Sequence, residues 1–169
     1  MITVEINDAE VTAAFARISA HLTDLSDLMN EVGMFLVAST EQRFKDTEAP
    51  DGSKWAPRSA TTIKHYQRTG QKFGAVLYKT GDLSKSVFHA YDAKSVTVGT
   101  NLIQSAVMQF GAGQGAFGAS IGKDKKGRDH FHTIPWGNIP ARPFIGLSDN
   151  DRTNVLDTVA EWLSEIAAA

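Results

Sequence analysis

The chain opens with a short alternating pattern and continues with a long helical one. Ile2, Val4 and Ile6 alternate with polar neighbours, which predicts a strand. Asn7 and Glu10 have the spacing of a capping box and predict the start of a helix. The helical region then carries an apolar stripe, largely at steps of three and four, formed by Val11, Phe15, Ile18, Leu22, Leu25, Leu28, Val32, Phe35 and Phe44.

This stripe predicts either one long helix or a helical hairpin. A break is expected near residues 21–24, where Thr23 could cap a second helix. The ordinary use of such a stripe is packing on the sheet of the same domain. The near-heptad spacing also permits a helix–helix contact between subunits, so both uses remain open.

Residues 47–58 interrupt the helical pattern with a loop. Pro50, Gly52 and Pro57 preclude regular structure in this segment. Trp55 is predicted to pin the loop to the protein body, because so large a ring rarely stays fully exposed.

The middle of the chain predicts mainly antiparallel sheet. After a short helix at residues 59–71, the segments 83–90 and 94–99 have the composition and alternation of strands. Residues 91–93 would join them as a hairpin. Residues 102–110 then predict a short helix or a further strand.

A glycine-rich segment separates this sheet from a final helix. Residues 111–122 contain five glycines and are followed by the charged run KDKKGRD, so residues 111–129 predict a mobile arm without a core of its own. Ser148 and Asp151 have capping-box spacing. The helix they begin has an apolar face formed by Val155, Leu156, Val159, Trp162, Leu163 and Ile166.

Composition fits one ordinary globular domain over residues 1–169. The chain is 42% hydrophobic and 21% charged, and its length can bury a substantial core. The predicted fold class is α+β. It comprises an N-terminal helical hairpin or long helix, an antiparallel sheet of about four to five strands with a long mobile loop, and a C-terminal helix.

Charge and cysteine content narrow the function classes. A net charge of −2 gives no general attraction to DNA or acidic membranes. The absence of cysteine excludes disulfides and thiolate metal sites. No secretory signal or membrane span is expected, because the N-terminus has no basic segment before an apolar core and the apolar run at 32–38 is short.

Candidate chemistry is sparse. His130 and His132 follow Asp129 and could serve a small metal-dependent hydrolase or nuclease, but a stable site needs three or four ligands. Ser84 and His89 would face opposite sides of the predicted strand, which disfavours a hydrolase site. We therefore expect no catalytic residue, no metal and no cofactor, and we expect that the chain is not an enzyme.

The most basic stretch of the chain, residues 54–72, spans the end of the loop and the short helix after it. It is either a solvated face or a contact with an acidic neighbour or DNA. A DNA-binding module is therefore a further alternative for the whole chain. The candidate contact residues are Lys54, Arg58, Lys64, Arg68 and Lys72.

Two apolar-aromatic segments flank the glycine-rich arm and are the most informative feature of the chain. They are VMQFG at residues 107–111 and IPARPFIG at residues 139–146. The prolines of the second segment hold its backbone extended, so that Arg142 and Phe144 are either interface anchors or intramolecular contacts. Phe144 is favoured for the core and Arg142 for the interface, because a strand bounded by prolines tends to lie at an edge. Interface candidates are Trp55, Phe110, Arg142 and Phe144.

Five motifs in order resemble those of the virion morphogenesis (tail completion, head–tail joining) proteins of Mu-like tailed phages. The resemblance covers about residues 10–165. The motifs are Pro50-x-Gly-x-x-Trp55, Lys79-Thr-Gly-x-Leu-x-x-Ser86, Val98-Gly-Thr-Asn101, Gln109-Phe-Gly111 and Pro140-Ala-Arg-Pro-Phe144.

The resemblance implies a structural protein that completes the tail or joins tail to head within a ring at the neck or tail end. It implies a homo-oligomer, with a hexameric ring as one form, and partners among other phage neck or tail proteins. Transient contact with packaged DNA is also expected, whereas a membrane is not. The expected location is the virion, at the tail or head–tail junction, after assembly in the host cytoplasm.

Overall fold

The protein is described here by a computed structural model that covers residues 8–123, 125–133 and 137–168, without the side chains of residues 120, 121 and 131–133. The strand predicted at residues 2–6 and the cap at Asn7 lie outside this description. The elements in chain order are helices α1 (Ala9–His21), α2 (Ser26–Asp46), α3 (Ala60–Thr69) and α4 (Asp82–Lys85), strands β1 (Val87–Tyr91) and β2 (Val96–Thr100), helix α5 (Ser105–Phe110), strands β3 (Ala119–Lys123) and β4 (Asp129–Thr133), and helix α6 (Asp149–Ala168).

The α+β class is confirmed, but the predicted single sheet is not. In the described part of the chain, four strands form two separate two-stranded sheets, β1–β2 and β3–β4. Strands β3 and β4 are antiparallel, with Ala119 opposite Thr133 and Lys123 opposite Asp129. Strand β3, which was not predicted, lies within the segment expected to form a mobile arm. The mobility of residues 111–129 and the lack of a core in them stay predictions.

Part of the strand predicted at residues 83–90 is helical instead. Gly81 has a φ of 85°, and the hydroxyl of Thr80 donates to the carboxylate of Asp82 at 2.5 Å. The backbone N–H of Lys85 then donates to the carbonyl of Gly81 at 3.0 Å, which closes one helical turn. This local turn replaces the start of the predicted strand, and β1 begins only at Val87.

The N-terminal helical region is a pair of helices. Asp24 lies just before α2 and caps its first turn, because its carboxylate accepts from the backbone N–H of Ser26 at 2.9 Å and from the Ser26 hydroxyl at 2.5 Å. The hydroxyl and then the N–H of Ser26 hold the pKa of Asp24 below its ordinary value. Thr23, the predicted cap, instead donates to the carbonyl of Ala20 at 2.7 Å.

The chain divides into two compact units, each built from separate segments. The first takes residues up to Ser39, Phe88–Gly99 and residues from Leu147. The second takes Thr40–Val87 and Thr100–Gly146. The prediction of one domain over residues 1–169 stays a prediction, because two compact units can still fold and unfold together.

In the first unit, helix α1 packs against helix α6. Arg17 donates to the carbonyls of Ile166 and Ala167 at 3.3 and 2.6 Å, and so satisfies the carboxyl end of α6. The ring of His21 lies edge-on to Trp162, with centroids 6.4 Å apart. The expected packing of the N-terminal stripe on a sheet is therefore not what α1 does.

The outer face of α1 stays exposed. Val11, Phe15 and Leu22 are 57%, 67% and 51% exposed, and they lie within about 40° of one another around a helix. Further along the same stripe, Leu28 and Val32 of α2 are buried. The apolar stripe thus fills the interior only over its second half.

The beginning of α6 confirms the predicted capping box. The hydroxyl of Ser148 accepts from the N–H of Asp151 at 3.0 Å, and the Asp151 carboxylate accepts from the N–H of Ser148 at 2.8 Å. The same carboxylate also accepts from the hydroxyl of Ser39 at 2.5 Å. No helix in the described part of the chain is both long and apolar enough to cross a bilayer.

The second unit has an aromatic core. The ring of Phe44 lies 5.4 Å from that of Trp55 and 5.3 Å from that of Phe144, centroid to centroid. Phe144 is fully buried, and the indole N–H of Trp55 donates to the carbonyl of Pro143 at 2.7 Å. The prediction that Trp55 pins its loop to the body is confirmed.

Replacing Phe144 should destabilise the protein strongly. The variant Phe144→Ala removes a ring that is wholly enclosed, and we expect a loss of about 3–5 kcal/mol in the free energy of unfolding. Phe110→Ala is the matched control, because that ring is 79% exposed and its loss should cost less than about 0.5 kcal/mol. Urea unfolding followed by tryptophan fluorescence measures both, and equal losses would contradict this assignment of the core.

Candidate functional site

The two segments that flank the glycine-rich arm are joined side by side. Ala112 and Ile139 form an antiparallel bridge, with N–H to carbonyl distances of 2.9 and 2.8 Å. The N–H of Arg142 donates to the carbonyl of Met108 at 2.7 Å. Gly111 between them has a φ of 74°, and a Cβ there would lie 2.7 Å from the carbonyl oxygen of Ile139. Only glycine allows this close approach.

The side chain of Gln109 binds the second segment as a neighbouring strand would. Its Oε1 accepts from the backbone N–H groups of Phe144 and Ile145 at 3.0 and 3.1 Å. Its Nε2 donates to the carbonyl of Ile145 at 2.9 Å. One amide therefore satisfies three backbone groups of a segment that lies outside both sheets.

Arg43 supplies the remaining donors from the end of α2. Its Nη1 donates to the carbonyls of Phe144 at 3.0 Å and Gly146 at 2.8 Å. With Trp55 on the carbonyl of Pro143, this accounts for the carbonyls of residues 143–146. We call Arg43, Trp55 and Gln109 the side-chain clamp.

Arg142 faces the other way and holds the loop before α3. It is 7% exposed, and it donates to the carbonyls of Ala56 at 2.7 Å and Pro57 at 2.9 Å. Burial, and then the nearby charge of Arg58, hold its pKa below the ordinary value for arginine. Between the two roles predicted for Arg142, the structure shows the intramolecular one.

Arg58 braces a second loop in the same way. It donates to the carbonyls of Gly74 at 2.6 Å and Ala75 at 2.5 Å. Its guanidinium carbon lies 5.3 Å from the centroid of the Phe73 ring. The Nζ atom of Lys79 similarly lies 5.5 Å from the centroid of the Tyr66 ring.

These loops enclose a cleft of about 660 Å³ within the second unit. Its apolar lining includes Leu83, Met108 and Ile139, and its charged lining comprises Arg58, Lys79, Asp82 and Arg142. A concave surface of this size, apolar with a few polar groups, has the character of a binding site.

The predicted basic residues have different environments. Lys54 pairs with Glu48 at 3.0 Å and also donates to the carbonyl of Asp46 at 2.9 Å. Lys64 and Arg68 lie exposed one turn apart on α3, and Lys72 is exposed just beyond that helix. These last three side chains are therefore available for contact with another molecule.

The side chains considered for catalysis are engaged elsewhere. The Ser84 hydroxyl donates to the carbonyl of Gly81 at 3.0 Å, and the ring of His89 is hydrogen-bonded to Asn30 at 2.9 Å. Among the side chains that the structure describes, no three His, Asp or Glu residues are grouped to hold a metal. The side chain of His132 lies outside that description, so the metal hypothesis for this residue is not addressed.

The predicted interface residues differ in exposure. Trp55, Arg142 and Phe144 are buried in the second unit, whereas Phe110 is 79% exposed at the end of α5. Their role between subunits stays a prediction. Neither Gln109 nor Arg43 was predicted to make contacts. Gln109 was named only as part of the Gln109-Phe-Gly111 motif, and Arg43 offered no signal beyond its position beside Phe44.

The second unit therefore offers two surfaces for binding, the cleft and the exposed ring of Phe110. Residues 6–164 match the model of the phage virion morphogenesis family. The chain belongs to this family, which confirms the resemblance seen in the five motifs.

Two relatives support the same assignment. "Mu-like prophage FluMu G protein 2" of Haemophilus influenzae is 27% identical over 163 residues, which is 96% of this chain and 96% of that protein. "Putative capsid assembly protein G" of Escherichia phage Mu is 26% identical over 164 residues, covering 93% of this chain and 95% of that protein. No solved structure matches the chain at a significant level.

Removing the Gln109 amide should weaken the second unit. Gln109→Met keeps the side-chain length but leaves two N–H groups and one carbonyl without this partner. We expect a loss of about 1–3 kcal/mol in the free energy of unfolding. Gln67→Met is the matched control, since Gln67 is exposed on α3. Thermal unfolding compares the two, and equal midpoints would show that the clamp is dispensable.

Proposed function

We propose that this protein completes the phage tail or joins the tail to the head as a subunit of a homo-oligomeric ring. The observation that carries the proposal is the family match over residues 6–164. The name of the phage Mu relative refers to capsid assembly, and the motifs resemble those of tail-completion proteins. We propose the head–tail junction as the location because capsid assembly and tail completion meet there.

The exposed apolar residues support a role in assembly. Phe15 and Phe110 are 67% and 79% exposed, and large exposed apolar side chains are common where proteins associate. We propose the outer face of α1, formed by Val11, Phe15 and Leu22, as the contact between copies of the chain. Phe110 would contact a neighbouring neck or tail protein.

The exposed basic residues support a further contact. Lys64, Arg68 and Lys72 would approach packaged DNA transiently, as basic side chains on one surface do without reading sequence. The proposed location is the virion, at the tail or head–tail junction, following assembly in the host cytoplasm.

Loss of the protein should prevent the attachment of tails to heads. An early stop codon in the gene of the source prophage should yield filled heads beside unattached or overlong tails, seen by electron microscopy of the lysate. Supplying the wild-type gene from a plasmid should restore joined particles and serves as the control. Normal infectious particles from the stop-codon lysate would refute the proposed function.

A charge on the outer face of α1 should prevent self-association. Phe15→Glu replaces an exposed ring by a carboxylate, and we expect the dissociation constant of the oligomer to rise by at least about tenfold. Ala16→Glu is the matched control, since Ala16 is exposed about 100° further around the same helix. Size-exclusion chromatography with light scattering measures the mass. A wild-type chain that stays monomeric up to its solubility limit would contradict the homo-oligomer.

A further inference from the structure

The charges in the cleft of the second unit are unbalanced. Its lining includes three cationic side chains, Arg58, Lys79 and Arg142, and one carboxylate, Asp82. In the described part of the chain, the hydrogen bonds of Arg58 and Arg142 go to backbone carbonyls, and neither forms an ion pair with a carboxylate. Carbonyls satisfy the N–H donors and the Phe73 ring partly offsets the charge of Arg58, but neither supplies a full negative charge.

The two guanidinium groups also act on each other. The charge of Arg58 is one of the two causes that lower the pKa of Arg142, burial being the larger. Like charges held close in a partly enclosed space raise the energy of the unoccupied site. An anionic group placed in the cleft would relieve this repulsion.

The loops that border the cleft contain unusual backbone. Leu77 and Asn138 both line it, and both have positive φ angles, of 60° and 52°. Left-handed backbone is uncommon for residues other than glycine, and for a bulky residue such as leucine it is strained. Strain of this kind is concentrated at binding sites, where the surrounding structure maintains it.

We propose that this cleft binds an acidic, partly apolar peptide segment of a neighbouring protein, with its carboxylate among Arg58, Lys79 and Arg142 and an apolar side chain against Leu83, Met108 and Ile139. The volume of about 660 Å³ accommodates a few side chains, not a folded domain. The proposal depends on the proposed function only for the source of the segment, which would be another phage structural protein.

The lining favours a peptide over nucleic acid. A phosphate backbone is recognised by exposed cations along an open surface, whereas Arg142 is 7% exposed and lies among apolar side chains. The Asp82 carboxylate within the lining would also repel a nucleic acid strand, which carries a negative charge at every nucleotide.

Nuclear magnetic resonance on the full-length, ¹⁵N-labelled chain tests the proposal. The probe is a synthetic peptide in which Glu alternates with Leu and Phe, and its counterpart carries Lys in place of Glu. We expect the acidic peptide alone to shift the amide signals of residues 76–83, 137–139, 141 and 142. Absence of such shifts at millimolar peptide, or equal shifts from the basic peptide, overturns the proposal.

Two substitutions should change the affinity in opposite directions, which a folding defect cannot imitate. Lys79→Glu should weaken binding of the acidic peptide by at least about tenfold, and Asp82→Asn should strengthen it. Lys125→Glu makes the same charge change at an exposed residue outside the cleft lining and should have no effect. Equal weakening by Lys125→Glu and Lys79→Glu would show a general charge effect and overturn the proposal.

Titration with a short DNA duplex tests whether the cleft binds nucleic acid instead of a peptide. If it shifts the same amides more strongly than the acidic peptide does, the site belongs to nucleic acid and the proposal is overturned. If peptide binding follows the two cleft variants while phage lacking the protein assemble normally, the cleft proposal stands and only the proposed function fails.

Discussion

The backbone of residues 143–146 lies outside both sheets, yet it carries the most deeply buried side chain of the second unit. Phe144 is fully enclosed, so the polar groups on either side of it are drawn away from water and need partners. Side chains provide them: Trp55 for one carbonyl, Gln109 for two N–H groups and a carbonyl, and Arg43 for two more carbonyls. Burial of Phe144 and the side-chain clamp therefore require each other.

The clamp also determines which surfaces the second unit presents. Gln109 and Met108 belong to α5, so the bonds that hold residues 142–145 also orient that helix. Phe110, the next residue, is consequently directed outward. The other side of the same segment, from Ile139 to Arg142, forms a wall of the cleft. A single set of hydrogen bonds thus relates the core of the second unit to two of the proposed contact surfaces, Phe110 and the cleft.

Local signals in the sequence predicted local structure well. The capping box of Ser148 and Asp151 and the hairpin connection predicted at residues 91–93 depend on neighbours in the chain, and both are present. The strand predicted at residues 83–85 was wrong because their composition suits a strand, whereas the left-handed Gly81 and the Thr80–Asp82 bond begin a helical turn. Strand β3 was missed because the glycines of residues 111–122 indicated a loop.

The candidate site could be predicted only in part, because it depends on contacts between residues that are far apart in the chain. The VMQFG and IPARPFIG segments stood out by composition, and the structure brings them together. Their chemistry could not be deduced, because a glutamine or arginine that binds backbone groups far along the chain has no periodicity. Arg142 and Trp55 were recognised as important residues, but the cleft depends on loops whose path is decided by tertiary contacts.

The two units also differ in when their residues become available during synthesis. The second unit ends at Gly146, whereas the first combines the N-terminal helices with residues from Leu147 onward, including α6. Translation proceeds from the N-terminus at roughly 5–20 residues per second, so α1 must wait for its partner α6 until codons 149–168 have been read. A ribosome that stalls at codon 147 would therefore hold every residue of the second unit and a first unit whose α1 still lacks α6.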